Sequence, residues 1–179
     1  MKELIQLKQL TKDNVSKNYI NWLKDESTIR YTQQNFSKPT KKKLAIFIEE
    51  NKKNDDIKFY GIFLDSKHVG NIRLGPIIKN HKTAYIGYLI SKENSGKGIA
   101  TLAINKTCEM AFKKFGIKKI NAAVIEINNS SQKCLLNNKF KKEGVLKKQI
   151  IYKNKRYDEY YYGLSQKDFK KKISFKNLC

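Results

Sequence analysis

A glycine-spaced loop, Gly96-Lys97-Gly98, separates an apolar run of strand length, Ala84 to Ile90, from a helical pattern. Apolar residues recur at helical spacing after it: Leu102, Ala103, Cys108, Ala111, Phe112 and Phe115. A helix N-terminus presents free backbone N–H groups and the positive end of the helix dipole. Glycines let the backbone approach an anion without a Cβ in the way. The chemistry that this stretch favours is therefore phosphate binding by backbone amides.

Two common phosphate loops do not fit these residues. A Walker A loop needs Ser or Thr after its lysine, whereas Lys97 is followed by Gly98. The dinucleotide fingerprint needs a third glycine where this chain has Thr101. On these residues alone, a strand-to-helix turn that only needs glycine explains the pattern equally well.

The surroundings of the loop resemble the core motif of the GNAT acyl-CoA N-acyltransferases, [RQ]-x-x-G-x-[GA]. Gly98 and Ala100 match its last two fixed positions, and Ser95 departs from the first. The closest resemblance is to the branch of ribosomal-protein N-terminal acetyltransferases, the RimJ/RimL-like proteins. It covers residues 3–165 and includes the segments NWLKDESTIRY, GNIRLGPI and YDEYYYGL.

A second GNAT signature, N-x-x-[SA] followed by G-F, resembles the segment that begins at Asn128. Asn128, Ser131 and Phe140 match it, while Lys139 replaces the usual glycine. We therefore expect Asn137 or Asn138 to take the left-handed conformation at the helix end. A strand end, a capping serine and a short helix would explain the same residues locally.

The resemblance implies acetyl-CoA as the cofactor and CoA as a product. Loop amides would hold the CoA pyrophosphate, and amides of the preceding strand would bind the pantetheine arm and the thioester carbonyl. Asn128 would also bind the pantetheine arm. The implied cofactor-binding residues are Tyr88, Leu89, Ile90, Gly96, Lys97, Gly98, Ile99, Ala100, Thr101, Asn128 and Ser131.

The implied reaction is direct attack of an amine on the thioester, which needs a neutral amine. Family members use a glutamate at one of three positions, occupied here by Tyr85, Ala123 and Ile150. No family base is kept. Tyr85 stays a catalytic candidate by its place on the cofactor strand. His81 and Glu126 are alternative bases, although a structural or surface role explains each of them better. A water chain could also serve an amine of low pKa.

The departing thiolate needs a proton donor. Many members use a tyrosine where this chain has Leu135, and the RimL-like branch uses a serine that corresponds to Ser131. Ser131 is therefore the second catalytic candidate, although helix capping is an equally good explanation of that serine.

The order of the patterns predicts an α/β fold, a mixed β-sheet with helices on both faces. The resemblance implies that this is a GNAT fold with a single mixed sheet of about seven strands. One domain is expected over residues 1–179, with a core over 3–165 and a lysine-rich tail over 166–179. The predicted landmarks are a strand from Glu3 to Leu10, helices capped by Thr11 and Thr40, a polar turn from Asn51 to Asp56, a hairpin of Lys58–Leu64 and His68–Leu74 ended by Pro76, a strand from Lys119 to Ile127, and two strands joined at Lys153-Asn154-Lys155.

Composition narrows the class of protein. The net charge is +22, but only three of the 38 basic residues are arginine, and arginine is the preferred residue for reading bases. Nucleic acid is therefore not an expected partner. Three scattered cysteines and two histidines predict neither disulfides nor a metal site. Without an 18-residue apolar run or a secretory signal, we expect a cytoplasmic protein and no membrane partner. We also expect a monomer or a homodimer.

The acceptor amine stays open between two enzyme hypotheses: a protein or peptide N-terminus or a small amine, and a nucleotide-linked amino sugar of a surface polysaccharide. A non-catalytic acyl-CoA-binding module is the alternative outside catalysis. Polyamines are disfavoured by the +22 charge, whereas Arg73, Lys79 and Lys82 would suit an anionic acceptor. Residues that could line an acceptor groove are Tyr19, Trp22, Tyr31, Asn71, Arg73, Tyr85 and Tyr157, although core packing or a surface aromatic is the better explanation of any single one.

Overall fold

The structure, a computed structural model, describes residues 5–32 and 38–170. Its strands are Gln6–Gln9 (β1), Lys58–Leu64 (β2), Lys67–Ile78 (β3), Thr83–Ile90 (β4), Lys119–Ile125 (β5), Lys141–Tyr152 (β6) and Lys155–Ser165 (β7). Its α-helices are Lys17–Lys24 (α1), Glu26–Ile29 (α2), Lys41–Lys53 (α3), Ile99–Lys114 (α4), Asn129–Asn137 (α5) and Gln166–Lys170 (α6). The strands form one seven-stranded mixed sheet in the order β1-β2-β3-β4-β5-β7-β6. The predicted fold class is confirmed.

Helices cover both faces of this sheet because its strands bury side chains on both sides. Helices α4 and α5 pack on one face, against core residues such as Ile72, Ile86, Ile120 and Tyr162. Helices α1 and α3 pack on the other face in a second cluster that includes Phe63. In the described ranges, no helix is long and apolar enough to cross a membrane.

Strands β4 and β5 are parallel, whereas the other neighbouring pairs are antiparallel. Their pairing runs only from Thr83–Lys119 to Tyr85–Asn121. Beyond Tyr85, β4 stays paired with β3 and β5 stays paired with β7. The two central strands therefore part toward their C-terminal ends, and a gap opens in the middle of the sheet, beside the N-terminus of α4.

Two predicted helix starts have different outcomes. Thr40 caps α3, since its hydroxyl accepts a hydrogen bond from the Lys43 amide at 3.2 Å. Thr11 does not cap α1. It precedes a single 3-10 turn, and Ser16 caps α1 by accepting from the Tyr19 amide at 3.1 Å. Helix α3 also continues through Lys53, into the segment predicted as a polar turn.

Pro76 does not end the second hairpin strand, because β3 continues to Ile78. The β3–β4 register shifts between Leu74 and Ile77, so Pro76 lies in an irregularity that has no ladder partner. A missing N–H costs little at such a position. The left-handed residue after α5 is Lys139, with φ of 66°, and neither Asn137 nor Asn138.

Several predicted boundaries extend past the described residues. Glu3, the predicted start of the first strand, lies outside them, and so does the tail from residue 171. The tail's first residues, Gln166–Lys170, form α6. The predicted turn at Lys153-Asn154-Lys155 is confirmed as the β6–β7 connection, with φ of 48° at Lys153 and 60° at Asn154.

Candidate active site

The glycine loop opens α4 with its amides uncovered. Gly96 and Gly98 have φ of 79° and 76°, and Gly98 is the N-cap of α4 without a side-chain cap. A Cβ added to either glycine would have no atom within 4 Å, so the space before the loop is open. The first helical bond runs from the Leu102 amide to the Gly98 carbonyl, which leaves the N–H groups of the first turn without intrahelical acceptors.

Side chains hold this loop in place. The hydroxyl of Ser91, which is fully buried, accepts a hydrogen bond from Asn94 Nδ2 at 2.9 Å. Asn94 Oδ1 accepts from Lys97 Nζ at 3.5 Å, which places an ammonium group at the loop. Two left-handed glycines, a free helix N-terminus and a lysine fit the pyrophosphate of CoA.

The backbone N–H and C=O groups of alternate β4 residues point into the gap. The Ser91 amide donates to the Val69 carbonyl at 2.9 Å, and the Leu89 carbonyl lies against Gly70, so both residues direct their backbone groups to β3. Because consecutive strand residues point to opposite neighbours, Tyr88 and Ile90 direct theirs into the gap. The amides of Tyr88 and Ile90 are therefore the favoured donors of the predicted set, whereas the backbone groups of Leu89 face β3.

A hydrogen bond joins β4 to α5 beside the gap. Tyr88 Oη and Ser131 Oγ are 2.8 Å apart, and either oxygen can be the donor. Burial raises the pKa of the Tyr88 phenol, so the phenol stays protonated near neutral pH. Both hydroxyl groups thus keep their protons at the gap, where a proton donor is needed.

The cap of α5 is Asn128 and not a serine. Its Oδ1 accepts from the Ser131 amide at 3.2 Å and from Ser130 Oγ at 3.0 Å. The capping explanation for Ser131 is therefore wrong, and its hydroxyl is paired with Tyr88 instead. The role of Asn128 toward pantetheine stays a prediction, and it would fall to Nδ2, because the oxygen is used by the cap.

The sheet face that carries α1 is uncovered beside the gap, and we call this uncovered surface the groove. Its floor is made of small residues on the two central strands, Gly87 and Ala123, which are both exposed. A Cβ added to Gly87 would have nothing within 4 Å. Tyr85 belongs to the last β4–β5 pair, at the closed end of the gap, and it is half-buried on the same face. The groove lies directly beside the gap and could admit an acceptor.

Arg73 borders this groove from β3. It pairs with Gly87 across the strands, and its half-buried side chain has a buried Nε without a hydrogen-bond partner. Burial lowers the pKa of its guanidinium, which nevertheless stays charged because an arginine pKa starts above 12. A charged guanidinium on a strand next to an open floor can attract an anionic group by charge.

Tyrosines from two distant segments meet at the open end of the groove. The ring centroids of Tyr31 and Tyr152 are 5.4 Å apart, and those of Tyr152 and Tyr157 are 6.5 Å apart. Lys153 also pairs with Glu26 at 3.2 Å. The predicted acceptor residues Tyr31 and Tyr157 therefore link the α1–α2 region to the β6–β7 hairpin.

Three other predicted acceptor residues belong to the packing beneath α1. The ring of His68 contacts Tyr19 and Trp22 at centroid distances of 5.0 and 4.9 Å, and His68 Nε2 is 2.9 Å from Asn71 Oδ1. Tyr19, Trp22 and Asn71 are buried. Core packing, the preferred explanation for any single candidate, therefore applies to these three, and they do not line the groove.

The alternative bases lie elsewhere. His81 is exposed in the β3–β4 turn, at the end of β4 opposite the glycine loop, near Lys79 and Lys82. Glu126 Oε1 accepts from the Asp158 amide at 3.0 Å and so joins the end of β5 to β7. Because His81 lies in this turn, at the opposite end of β4 from the loop, we do not assign it to the reaction. The hydrogen bond from the Asp158 amide gives Glu126 a structural role.

A separate cavity of about 220 Å³ lies between α3 and β2. Its lining includes Leu10, Ile48, Asn51 and Phe59, and it has no part of the glycine loop. We therefore do not place the reaction there. No cluster that could hold a metal ion occurs among the described His, Cys, Asp and Glu residues.

Comparison with known proteins fits this geometry. The model of the acetyltransferase (GNAT) domain matches residues 5–141. The chain belongs to the GNAT acetyltransferase family. Among curated relatives, a probable N-acetyltransferase of Bacillus subtilis, YjcK, is 33% identical over 113 residues. The match covers 62% of each chain, so the chain spans less than two thirds of that relative.

Solved GNAT structures share the fold. The microcin C7 self-immunity acetyltransferase MccE, in complex with acetyl-CoA and AMP, is 26% identical and has a TM-score of 0.80, covering 92% of this chain and 93% of its own. Vibrio cholerae spermidine N-acetyltransferase, with CoA and spermine, has a TM-score of 0.84 at 17% identity over 92% and 97% of the chains. RimJ of Mycobacterium smegmatis and RimL are further solved structures with this fold, with TM-scores of 0.82 and 0.83 at 18% and 16% identity.

Proposed function

We propose that this GNAT protein is an acetyl-CoA-dependent N-acetyltransferase whose acceptor carries an anionic group as well as a primary amine. The observation that carries the acceptor proposal is the half-buried, charged Arg73 guanidinium, whose residue pairs across the strands with Gly87 of the open floor. An acceptor in the groove would place its anionic group at Arg73 and its amine toward the gap.

Acetyl-CoA contributes the acyl thioester that the amine attacks. The amides of residues 96–101 would hold its pyrophosphate, and the gap-facing amides of Tyr88 and Ile90 would bind the pantetheine arm and the thioester carbonyl. Donors that are fixed in advance toward a developing negative charge contribute about 3 kcal/mol to catalysis. Holding the amine in the groove beside the gap contributes through proximity.

Ser131 is the proton donor in this proposal, and Tyr88 orients its hydroxyl through the 2.8 Å hydrogen bond. Replacing Ser131 with alanine should lower kcat by about 100-fold, near the lower limit for losing a general acid, because a thiolate is a good leaving group. Release of CoA under saturating acetyl-CoA is the measurement. Ser130→Ala is the matched control, since Ser130 bonds only to the cap residue Asn128. Equal rates in both variants would remove Ser131 from catalysis.

Two acceptor classes suit the cation at Arg73. The first is a peptide N-terminus with an acidic residue near the amine, or a small amine with a carboxylate. The second is a nucleotide-linked amino sugar, whose phosphates pair well with arginine. The AMP bound to MccE shows that a related structure admits a phosphate compound. A polyamine would meet like charge, since the chain carries +22.

The experiment is chromatographic detection of CoA released from acetyl-CoA with matched acceptor pairs. Peptides that begin with Ser, Ala or Met are tested with and without an acidic second residue. UDP-linked amino sugars are compared with the corresponding free amino sugars. Spermidine is the last acceptor of the panel. We expect faster release with the anionic member of a pair. Fastest release with spermidine would contradict the proposal.

Replacing Arg73 with glutamine should raise KM for the anionic acceptor about tenfold, the equivalent of one charge-assisted hydrogen bond of about 1.4 kcal/mol. The KM for its neutral counterpart should not change. Arg156→Gln is the control, because Arg156 binds the Lys148 carbonyl on the hairpin. If both variants keep the preference for the anionic acceptor, Arg73 does not recognise it.

A further inference from the structure

The sheet register places a carboxylate beside the gap that the sequence patterns did not indicate. Tyr85 and Asn121 form the last β4–β5 pair, so four residues further along these parallel strands Leu89 and Ile125 lie at the same height on either side of the gap. Ile125 pairs with Glu159 on β7. Glu159 is therefore level with the backbone donors Tyr88 and Ile90.

Alternation along β7 decides which face Glu159 occupies. Tyr160, Tyr162 and Leu164 pack into the core beneath α4 and α5. The intervening residues Glu159 and Tyr161 therefore face the other way, toward the groove. Tyr161 pairs with Ala123, which is part of the groove floor, so Glu159 lies one step nearer the open end of the gap.

Glu159 lies in a poorly hydrated setting. Its residue is only 5% exposed, and its strand partners Ile125 and Leu146 are apolar. Desolvation raises the pKa of its carboxyl group. The titratable groups on its face include Tyr161, Tyr85 and Glu143, with the Arg73 guanidinium across the groove. A carboxylate with a raised pKa is a stronger base.

We propose that Glu159 is the general base that takes a proton from the acceptor's ammonium group, an assignment that rests on the proposed function. The ammonium proton passes to a carboxylate oxygen of Glu159. The neutral nitrogen then forms the C–N bond with the acyl carbon while the C–S bond breaks. The departing sulfur takes a proton from the Ser131 hydroxyl. The surplus proton on the acylated nitrogen passes through Tyr88 or water and restores that hydroxyl. Glu159 then releases its proton to solvent.

Glu143 is a second carboxylate on the sheet face that carries Glu159. Glu143 on β6 lies against Gly163 and pairs with Lys119, at the closed end of the β4–β5 pairing. It shares the face and strand environment of Glu159 but is distant from the gap. Glu143→Gln is therefore the matched control for Glu159→Gln.

The test compares kcat/KM for wild type, Glu159→Gln and Glu143→Gln with the best acceptor of the panel, across pH. At pH 7 we expect Glu159→Gln to lose about 100-fold. The loss should shrink to a few-fold above the pKa of the acceptor amine, where the amine is already neutral. Wild-type activity should fall on acidification through the raised pKa of Glu159, and Glu159→Asp should recover part of the rate.

Two further readouts separate a base from a structural carboxylate. The Kd for acetyl-CoA should stay within twofold of wild type in Glu159→Gln. Its thermal stability at pH 7 should be equal or higher, because a carboxyl group with a raised folded-state pKa destabilises the fold once the pH exceeds that pKa.

Four outcomes would overturn the assignment. A pH-independent loss in Glu159→Gln, or a loss equal to that of Glu143→Gln, would show a structural effect. Unchanged turnover in Glu159→Gln would show that Glu159 is not the general base, and it would leave the proposed function intact. No CoA release by wild type with any acceptor would overturn the proposed function and the base with it.

Discussion

Replacing Gly98 with glutamate is expected to weaken acetyl-CoA binding about 1000-fold. Gly98 has φ of 76° at the N-cap of α4, and the space in front of it is open. A glutamate there would fill the space for the pyrophosphate and oppose its charge. Losing two charge-assisted hydrogen bonds of about 2 kcal/mol each accounts for this factor. Calorimetric titration with acetyl-CoA measures it.

The chain contains a control for the backbone strain of this substitution. Gly116, just after α4, has φ of 66°, and a Cβ there would also meet nothing within 4 Å. Gly116→Glu imposes the same strain and charge at the opposite helix end. It should bind acetyl-CoA with wild-type affinity. If Gly98→Glu also kept that affinity, the pyrophosphate would not bind at this loop.

Replacing Gly87 with tryptophan is expected to abolish most turnover while leaving acetyl-CoA binding within a few-fold of wild type. Gly87 is exposed on a central strand, and a side chain there meets no neighbour. An indole would occupy the groove floor beside Arg73 and keep the amine from the gap. Losing about 4 kcal/mol of positioning lowers kcat/KM about 1000-fold.

The measurement for Gly87→Trp is acceptor-dependent CoA release together with the acetyl-CoA Kd. Ile151→Trp is the control, because Ile151 is 63% exposed on β6 and already presents an apolar side chain. Wild-type turnover in Gly87→Trp would show that the acceptor does not use this groove. Joint loss of turnover and acetyl-CoA binding would show damage to β4 itself.

Local chemistry is what the sequence could predict. The glycine loop, the start of α4 and the cap at Thr40 each depend on a few adjacent residues, and each was found where the pattern indicates. Caps were predicted less well where two candidates compete. Ser16 and Asn128 have the required geometry, whereas Thr11 starts a separate turn and Ser131 turns to Tyr88.

The rest of the site depends on pairing between distant strands. The gap exists because β4 and β5 pair over three residues and then follow different neighbours, which no local pattern records. Gly87 and Glu159 gain their importance only from this register. In the sequence, Glu159 alternates with Tyr157 and Tyr161 at the two-residue spacing of a strand, and this pattern could have indicated a carboxylate on the same face as these tyrosines.

The most direct test of the central claim is calorimetric titration of acetyl-CoA into the wild-type protein. If residues 96–101 and the gap beside β4 form the acyl-donor site, binding is saturable at one site per chain, CoA competes for it, and an acceptor then produces free CoA. Absence of saturable binding, or binding that Gly98→Glu leaves unchanged, would contradict the assignment of this loop and gap.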